Sequence, residues 1–426
     1  MNRKVLSTEM GAVAVAVAVA LSGCGGGGDT ASSSTGATST SAGVITGFGS
    51  VYVNGVEYET DSATITVDGA VVNGDQDLAV GMTAEVSGSV NPDGTTGIAN
   101  AINVTDELEG VVLSNNVGTD GTMNIMGMTV TVTALTVFES DVAGIPGVEA
   151  VEAGNVAEVS GYSSGEGDVY ATRIEVKAAD LASYLAEHAD ELELKGVVAD
   201  LDSGAQTFTI GSLIVDYAGA GYVSSELRDG LYVEVKSESA PVDNGDGTFT
   251  LAATKVEKED DGILGISGDE GDEIELEGIV TNIDEMPASF ALNGQSILIN
   301  NETEFEDGLD PAAIAVGDGV EVEGYFNASG QLVADSVEME DDDNLSEYKE
   351  YIQSIDMNNS TLTLQVGDTI TINSSTIMLD NLSDIPEHYF DLSDLRSGDY
   401  LEIHATVDAE GNLTAVKLER KDPSVI

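Results

Sequence analysis

The fold of this chain is decided by the stretch Val316-Gly317-Asp318-Gly319-Val320-Glu321-Val322-Glu323-Gly324, in which apolar and polar residues alternate. Alternation with a period of two is typical of a β-strand that buries one of its faces. The stretch lies in a longer unit, residues 274–340, that also contains the dipeptide Asn293-Gly294. Asn-Gly supplies the positive φ angles of a tight hairpin turn. The unit is therefore predicted to consist of short β-strands joined by tight turns.

Two sequence phrases recur along the chain and define five copies of this unit. The first is a glycine followed four residues later by a glutamate: Gly81 with Glu85, Gly154 with Glu158, Gly230 with Glu234, Gly317 with Glu321, and Gly398 with Glu402. The second is an alanine followed three residues later by a branched apolar residue: Ala99 with Ile102, Ala171 with Ile174, Ala253 with Val256, Ala334 with Val337, and Ala415 with Leu418. Each copy also has a hairpin with glycine at its tip, at Gly55, Gly127, Gly211, Gly294 and Gly367.

Copies of this size would be marginally stable as open sheets. A domain of about 60 residues buries only about 60% of its unfolded surface, and open edges leave backbone groups unpaired. Closing each sheet into a barrel removes the edges. The predicted fold is therefore all-β, a tandem array of about five small closed β-barrel domains of OB-like type, after a signal peptide and a flexible tether.

The repeats and the composition between them set the predicted domain boundaries. The barrels are assigned to residues 43–106, 108–178, 192–258, 274–339 and 347–420. Residues 1–23 are predicted to be a lipoprotein signal peptide, residues 24–42 a tether rich in Gly, Ser and Thr, and residues 259–273 an acidic linker. Residues 179–191 are predicted to form a helical linker, because Leu181, Tyr184, Leu185 and His188 recur at helical spacing. We expect separate barrels strung like beads, whose mutual packing the sequence does not define.

Cys24 is the predicted lipidation site. Arg3 and Lys4 precede an apolar run at residues 10–21, which has the length of a signal-peptide core and is too short to span a bilayer. The run ends in Leu21-Ser22-Gly23-Cys24, which resembles the lipobox of bacterial lipoproteins, in which the cysteine is lipidated. Cys24 is the only cysteine, so disulfides are excluded. Gly25 follows it rather than Asp, which by resemblance to enterobacterial lipoproteins implies the outer membrane.

The net charge limits the expected partners. The chain has 14 Lys and Arg against 77 Asp and Glu, and removal of Arg3, Lys4 and Glu9 with the signal peptide leaves 12 against 76, a net charge of −64. Such a surface repels nucleic acid, so we expect no nucleic-acid partner, and it attracts calcium or magnesium. The simpler interpretation is that the carboxylates keep an exported protein soluble.

The opening residues 43–56, the VGD-x-VEVEG phrase at residues 316–324 and the Ala-x-x-Val endings together resemble the DUF5666 repeats of bacterial lipoproteins, a family of unknown function. The resemblance covers most of the chain after the tether, although the fifth copy lacks the opening glycine. It implies a small β-barrel domain on an exported lipoprotein. It implies no activity and no catalytic residues.

The titratable residues form no recognisable catalytic or metal-binding motif. His188, His388 and His404 lack metal-ligand spacing and are interpreted as ordinary surface or half-buried residues. The recurrent glutamates, Glu85, Glu158, Glu234, Glu321 and Glu402, lie between apolar neighbours, so we expect solvated carboxylates on the outer face of each barrel. Cys24 is therefore the only site residue assigned, with no catalytic, cofactor-binding or metal-ligating residues.

Calcium is the one ion that the sequence suggests as a ligand. Residues 243–247, Asp-Asn-Gly-Asp-Gly, offer oxygen ligands at alternate positions, but the downstream bidentate glutamate of an EF-hand is missing. A hairpin turn is therefore the favoured interpretation. The acidic runs at residues 259–261 and 340–343 are weaker candidates for holding divalent cations between barrels.

Three functional hypotheses follow from the sequence. The leading one is a non-enzymatic, lipid-anchored cell-envelope protein that serves as a scaffold, spacer or binding array, with an envelope protein or a divalent cation as partner. The second is a calcium-responsive adhesin or matrix protein, and the third an enzyme with a cleft between barrels. A concave pocket with convergent polar groups and shifted carboxyl pKa values would support the third hypothesis.

Overall fold

A computed structural model describes residues 39–187, 192–259, 266, 268–283, 289–306, 309–339, 345–382, 390–408 and 411–423. The predicted signal peptide, the lipidation residue Cys24 and the tether up to residue 38 lie outside these residues. So do His188, His388 and the acidic run at residues 340–343. Within the described residues, no helix is both long enough and apolar enough to cross a membrane.

Five barrels follow one another along the chain. Barrel 1 contains β1 (Ser39–Gly47), β2 (Val51–Val53), β3 (Val56–Glu59), β4 (Thr64–Val67), β5 (Ala70–Val72), β6 (Thr83–Val90) and β7 (Thr96–Val104). Barrel 2 contains β8 (Leu108–Asn115), the short helix α1 (Val117–Asp120), β9 (Thr122–Ile125), β10 (Met128–Ser140), β11 (Val156–Ser163) and β12 (Asp168–Ala178). Helix α2 (Leu181–Glu187) follows, within the predicted helical linker.

The remaining barrels have similar composition. Barrel 3 contains β13 (Leu192–Val197), β14 (Ala199–Asp202), β15 (Thr207–Ile210), β16 (Leu213–Asp216), β17 (Tyr222–Val223), β18 (Tyr232–Ser237), β19 (Val242–Asp243), β20 (Phe249–Ala252) and β21 (Lys255–Lys258). Barrel 4 contains β22 (Glu273–Asn282), β23 (Ser289–Leu292), β24 (Gln295–Leu298), β25 (Glu304–Phe305), β26 (Gly319–Phe326) and β27 (Leu332–Met339). Barrel 5 contains β28 (Ser346–Asp356), β29 (Thr361–Leu364), β30 (Thr369–Thr371), β31 (Ile377–Asp380), β32 (Tyr400–Val407) and β33 (Leu413–Lys421). Short 3₁₀ turns lie at Asp75–Asp77, Val148–Ala150 and Pro311–Ala313.

The five barrels share one strand order. In barrel 2 the hydrogen-bonded order is β8, β9, β10, β12 and β11, and β11 pairs with β8 to complete the circle. The contact between β10 and β12 is parallel, and the others are antiparallel. Barrels 1, 4 and 5 close in this order with some strands divided into segments, and barrel 3 follows it as two sheets, β13-β18-β21-β17 and β14-β15-β16-β20-β19. The predicted array of small, closed, OB-like barrels is therefore confirmed.

The two recurrent sequence phrases have structural roles that the barrels share. The alanine of the second phrase is at most 6% exposed in every copy, and the branched residue that follows it is fully buried. The glycine of the first phrase has a positive φ angle in every copy, for example 90° at Gly81 and 102° at Gly154. Its N–H donates to a carbonyl at the end of the first strand, at 2.8 Å from Gly81 to Ile45. This turn therefore starts the fourth barrel strand at a fixed position, where a side chain would be strained.

Two pairs of barrels are fused through shared sheets. Strand β1 of barrel 1 pairs in parallel with β22 of barrel 4, over Ser39 to Ala42. Strand β8 of barrel 2 pairs antiparallel with β13 of barrel 3 at Leu108 and Glu109. The expected string of separate beads is therefore wrong, because backbone pairing joins barrels that are distant in sequence. Residues 39–42, which we assigned to the tether, belong to β1 for the same reason.

Barrel 5 packs against barrels 1 and 2. Thr46 donates to the carbonyl of Ser374 at 2.9 Å, and the Lys417 ammonium group donates to the carbonyl of Thr136 at 2.8 Å. A small apolar cluster fills the junction of these three barrels, formed by Val44, Val80, Val137, Tyr162, Ile377 and Leu379. Four of the barrels thus surround a common centre, where the candidate site lies.

Candidate functional site

The recurrent glutamate stands at the centre of a row that crosses three neighbouring strands of each barrel, the first, the fourth and the fifth. Because paired residues of neighbouring strands share a face of the sheet, the side chains of each row lie together. The rows are Ala42, Glu85 and Asn103; Glu109, Glu158 and Glu175; Lys195, Glu234 and Glu257; Glu277, Glu321 and Glu338; and Lys349, Glu402 and Glu419.

These glutamates are not the solvated carboxylates that we expected. The side chains of Glu158, Glu234 and Glu402 are only 15%, 14% and 16% exposed. They do lie on the outer face of their barrels, but lysine side chains contact them there, such as Lys177 at Glu158, Lys236 at Glu234 and Lys421 at Glu402. Burial accordingly raises the pKa of Glu158 above its ordinary value. At Glu158 the outer face of one barrel also continues into its neighbour, because β8 pairs with β13.

Lysines neutralise the row at the junction of barrels 2 and 3. We call this junction the lysine seam, formed by β8, β13 and their outer neighbours β11, β12 and β18. Lys177 lies 3.4 Å from Glu158 and 2.9 Å from Glu175. Lys236 lies 2.7 Å from Glu193 and 3.1 Å from Glu234. Glu158, Glu175, Glu193 and Glu234 therefore each have a lysine beside them.

Helix α2 covers part of the lysine seam. Tyr184 is 1% exposed and packs in the core shared by barrels 2 and 3. Burial raises the pKa of Glu109 to about 7, and hydrogen bonding from Tyr184 partly opposes that rise. The predicted linker helix thus seals the seam against water rather than only connecting two domains.

Barrel 5 carries a carboxylate and histidine cluster that is also neutralised by lysines. One ligand atom each of Glu347, Glu402 and His404 lies within 4.8 Å of the others. Lys349 and Lys421 lie 3.6 Å and 2.9 Å from Glu402. Burial, followed by the charge of Lys417, lowers the pKa of His404. The sequence placed His404 among the ordinary histidines, and the lysines around it give no reason to change that interpretation.

The junction of barrels 1 and 4 has carboxylates without lysines, and we call it the acidic seam. It consists of Ser41 on β1, Glu275 on β22, and Glu321 and Glu323 on β26. One oxygen from each of the three glutamates lies within 4.8 Å of the other two. The Ser41 hydroxyl donates to Glu275 at 3.4 Å. None of the three glutamates forms an ion pair with a Lys, Arg or His among the described residues.

Burial near other carboxylates raises the pKa of two glutamates in the acidic seam. Burial, and then the charge of Glu321, raises the pKa of Glu275. Burial also raises the pKa of Glu321, while its hydrogen bond with Glu275 acts in the opposite direction. Two carboxylates that share a hydrogen bond cannot both be ionised cheaply, so one proton stays between them. The seam is thus able to hold a proton or a cation.

A cleft of about 530 Å³ opens at the centre of barrels 1, 2, 4 and 5. Glu277, Glu321 and Glu338 form one wall of it, and Asp408 lies in another. Hydroxyl and amide groups cover much of the remaining wall, from Thr46, Asn54, Thr131, Thr133, Thr136, Tyr162, Tyr170, Thr172, Asn373, Ser375, Thr406 and Thr414. The lining thus contains many hydrogen-bonding oxygens, and no Lys, Arg, His or Cys among the described residues. Acid–base chemistry in this cleft would rely on carboxylates and tyrosines.

A buried polar junction between barrels 1, 2 and 3 escaped the sequence analysis. Asp106 and Glu107 connect β7 to β8 and are 4% and 6% exposed. Asp106 accepts from Ser160 at 2.6 Å, and Lys195 donates to the Asp106 carbonyl at 2.5 Å. Burial raises the pKa of Glu107 to about 7, against the opposing charge of Lys195. No repeat marks these residues, because the junction exists in one place only.

The loop at residues 243–247 is a hairpin turn, as favoured from the sequence. It joins β19 to β20, and the N–H of Asn244 donates to the carbonyl of Thr248 at 3.1 Å. Asp243 accepts from the N–H of Gly245 at 2.7 Å, and Asp246 from that of Thr248 at 3.0 Å. The carboxylates thus hold their own turn and leave fewer oxygens for calcium.

Comparison with solved structures identifies proteins with similar barrels. The structure titled "drosophila Unr CSD456" is 13% identical over 55% of this chain and 96% of that chain, with a TM-score of 0.17. A multidomain protein with nucleic acid binding domains from Streptococcus pneumoniae TIGR4 is 10% identical over 54% of this chain and 73% of that chain, with a TM-score of 0.14. No curated protein matches the chain in sequence.

These structures correct the prediction that excluded nucleic acid. A protein described as having nucleic acid binding domains is among the structures found, which is at odds with that exclusion. The exclusion is withdrawn. At these TM-scores the likeness carries no argument for a nucleic-acid ligand, and none is assigned.

The family model described as "Domain of unknown function (DUF5666)" matches residues 41–102, 109–175, 277–338 and 351–419. These segments correspond to barrels 1, 2, 4 and 5 and together make up more than half of the chain. Barrel 3, which contains the inserted hairpin of β19 and β20, has the same strand order without a match of its own. With the repeats, the closed barrels and these matches in agreement, the chain belongs to the DUF5666 family.

Proposed function

We propose that this chain is a non-enzymatic protein of the cell envelope, anchored in the outer membrane by a lipid on Cys24, whose fused barrels form a scaffold that presents a binding cleft. The observation that carries the proposal is the cleft among barrels 1, 2, 4 and 5, whose wall combines apolar side chains with hydroxyl and carboxylate oxygens. Its volume of about 530 Å³ lies in the range of ordinary ligand sites, and its oxygens suit a hydrogen-bonding ligand or an extended segment of an envelope protein.

The fused architecture supports a scaffold more than a flexible spacer. Backbone pairing joins barrel 1 to barrel 4 and barrel 2 to barrel 3, and barrel 5 donates and accepts hydrogen bonds across its contacts. Such contacts hold the cleft walls in one arrangement, which lowers the entropy lost when a ligand binds.

Position-specific crosslinking tests the cleft. A photoreactive amino acid at Thr133, which lines the cleft, is expected to crosslink a defined envelope component in intact cells. The same amino acid at Val71, which is 72% exposed on β5, is the matched control and should give no such product. Equal products at both positions, or none at Thr133, would contradict a binding role for the cleft.

Fractionation tests the anchor separately. Cys24→Ala removes the only cysteine, so the chain should leave the outer-membrane fraction and accumulate unprocessed or soluble. Normal processing and outer-membrane retention of this variant would overturn the anchoring claim without bearing on the cleft.

The enzyme hypothesis keeps a specific observation in its favour. The cleft is concave and contains hydroxyl and carboxylate oxygens, and the pKa of Glu321 in its wall is raised by burial. A carboxyl group with a raised pKa is the usual general acid of glycoside hydrolysis. Release of sugars from envelope polysaccharide by the wild-type chain, absent in Glu321→Gln, would replace the non-enzymatic proposal.

A further inference from the structure

The carboxylates of the acidic seam have no lysine beside them, unlike those of the lysine seam and of the cluster in barrel 5. Glu275 and Glu321 are partly buried, Glu323 lies beside them, and no Lys or Arg occurs in residues 5–172 or 259–348, which include barrels 1 and 4. Burying carboxylates is strongly unfavourable unless their charge is paired or neutralised. The charge of this seam must therefore be balanced by bound protons or by a cation from solution.

A second, independent feature indicates a missing ligand at this place. Tyr58 on β3 is 1% exposed, and its buried hydroxyl has no hydrogen-bond partner among the described residues. Burial raises its pKa to about 12; Ser41 acts against that rise and the charge of Glu275 adds to it, so the hydroxyl faces these two residues. Buried tyrosine hydroxyls usually have a partner, whereas this one has Ser41 as a near neighbour without hydrogen-bond geometry.

We propose that the acidic seam binds one calcium ion, held by Glu275, Glu321 and Glu323 of barrel 4 and by the hydroxyl oxygens of Ser41 and Tyr58 of barrel 1. The ion would hold together two barrels that share a sheet but are distant in sequence. Ser41 and Glu275, for example, are 234 residues apart. The site shares Glu321 with the wall of the cleft, but calcium binding is proposed and tested separately from the cleft function.

The chemistry of the donors selects calcium among the common cations. All five donors are oxygens, which suits hard cations rather than zinc or copper. The glutamate oxygens lie within 4.8 Å of one another, close enough for one ion to contact all three. A set of five protein oxygens suits calcium, whereas magnesium usually keeps several waters and binds through one or two carboxylates.

Carboxylates bind calcium in their ionised form, so the affinity should fall as the pH is lowered.

Barrel 5 provides a matched control. Its cluster of Glu347, Glu402 and His404 is as compact as the acidic seam, but Lys349 and Lys421 already neutralise Glu402. We expect no calcium there.

Calorimetric titration of the full-length chain, stripped of ions and kept in detergent, tests the proposal. Wild-type protein should bind one calcium with a dissociation constant on the order of 10⁻⁴ to 10⁻³ M, the range of extracellular modules. Glu275→Gln and Glu321→Gln should each weaken binding about tenfold or more, because each removes a charged ligand. Glu402→Gln should leave binding unchanged. These neutral substitutions relieve repulsion, so the seam variants are expected to fold.

Terbium luminescence tests whether the ion lies beside Tyr58. The chain has no Trp, so tyrosine alone can sensitise bound Tb³⁺, and Tyr58→Phe should remove most of the emission while Tyr217→Phe keeps it.

The proposal is overturned if no saturable heat appears up to about 10 mM calcium, ten times the weaker limit. It is also overturned if the seam variants bind as wild type does, since the ions would then be adventitious. Either result would leave the crosslink at Thr133 and the Cys24 anchor untouched, so the two proposals fail separately.

Discussion

The lysine seam and the acidic seam place equivalent glutamates beside different neighbours. In both, the first strands of two barrels pair, and the recurrent glutamate of the fourth strand lies one strand away. Lys177 and Lys236 neutralise the first seam, whereas the second has no basic side chain within ion-pair distance among the described residues. The same backbone position therefore serves as half of an ion pair in one place and as a candidate ligand in the other. The repeat therefore specifies the position of the carboxylate, and the neighbouring barrel specifies its role.

Removal of a lysine from the lysine seam should have the largest effect. Lys177 is 19% exposed and contacts both Glu158 and Glu175. Lys177→Met keeps the length of the side chain and leaves two buried carboxylates without a cation. We expect a loss of about 2–3 kcal/mol in the free energy of unfolding, less than for a fully buried pair because some solvent reaches the site. Urea denaturation monitored by circular dichroism measures it.

A double variant separates lost charge from lost packing. Glu158→Gln added to Lys177→Met should restore part of the stability, because one of the stranded carboxylates is then neutral. An unchanged or larger loss in the double variant would mean that the lysine acts through its aliphatic stem rather than its charge.

Removal of a charged side chain from the acidic seam should raise the free energy of unfolding rather than lower it. Glu275→Gln removes a carboxyl group whose pKa is raised by burial and by Glu321. In chelator at pH 8 we expect the variant to be more stable than wild type by about 1–2 kcal/mol. Saturating calcium should reverse the order, because only the wild-type seam gains from the ion. A variant less stable than wild type in chelator would show that the carboxylate is already compensated.

The pH dependence of stability should report the raised carboxyl pKa values. The folded chain keeps protons on Glu107 and Glu109 up to about pH 7, whereas the unfolded chain loses them near pH 4.5. Since the folded state binds more protons in this window, stability falls as the pH rises through it. The acidic seam adds to the fall, so Glu275→Gln in chelator should reduce it by about 1 kcal/mol between pH 5 and pH 8. Denaturation midpoints that rise with pH over this range would contradict the assignment.

Local sequence patterns predicted the strands and tight turns of each barrel and marked positions that recur in its structure. The alternation of residues, the positive φ of the five repeat glycines and the buried alanines depend on contacts within one copy. The linker helix was predicted for similar reasons, and α2 spans Leu181–Glu187 within it. Such features are encoded by neighbours in the chain, and a single sequence therefore contains them.

The seams were not predictable in the same way. Ser41 and Glu275 are 234 residues apart, and no periodicity in either copy indicates that their strands pair. The burial of the recurrent glutamates was missed because it comes from another barrel. One usable signal was present, since Lys and Arg are absent from residues 5–172 and 259–348 and so from both barrels that form the acidic seam.

The smallest effect should come from an exposed ion pair that resembles the lysine seam in sequence only. Lys255 on β21 contacts Glu257, and the two side chains are 36% and 38% exposed. Water solvates both charges after either partner is removed, so Lys255→Met should change the free energy of unfolding by less than about 1 kcal/mol. Urea denaturation beside Lys177→Met measures the difference directly. Equal losses in the two variants would mean that burial does not distinguish the pairs, and the contrast between the seams would then lose its physical basis.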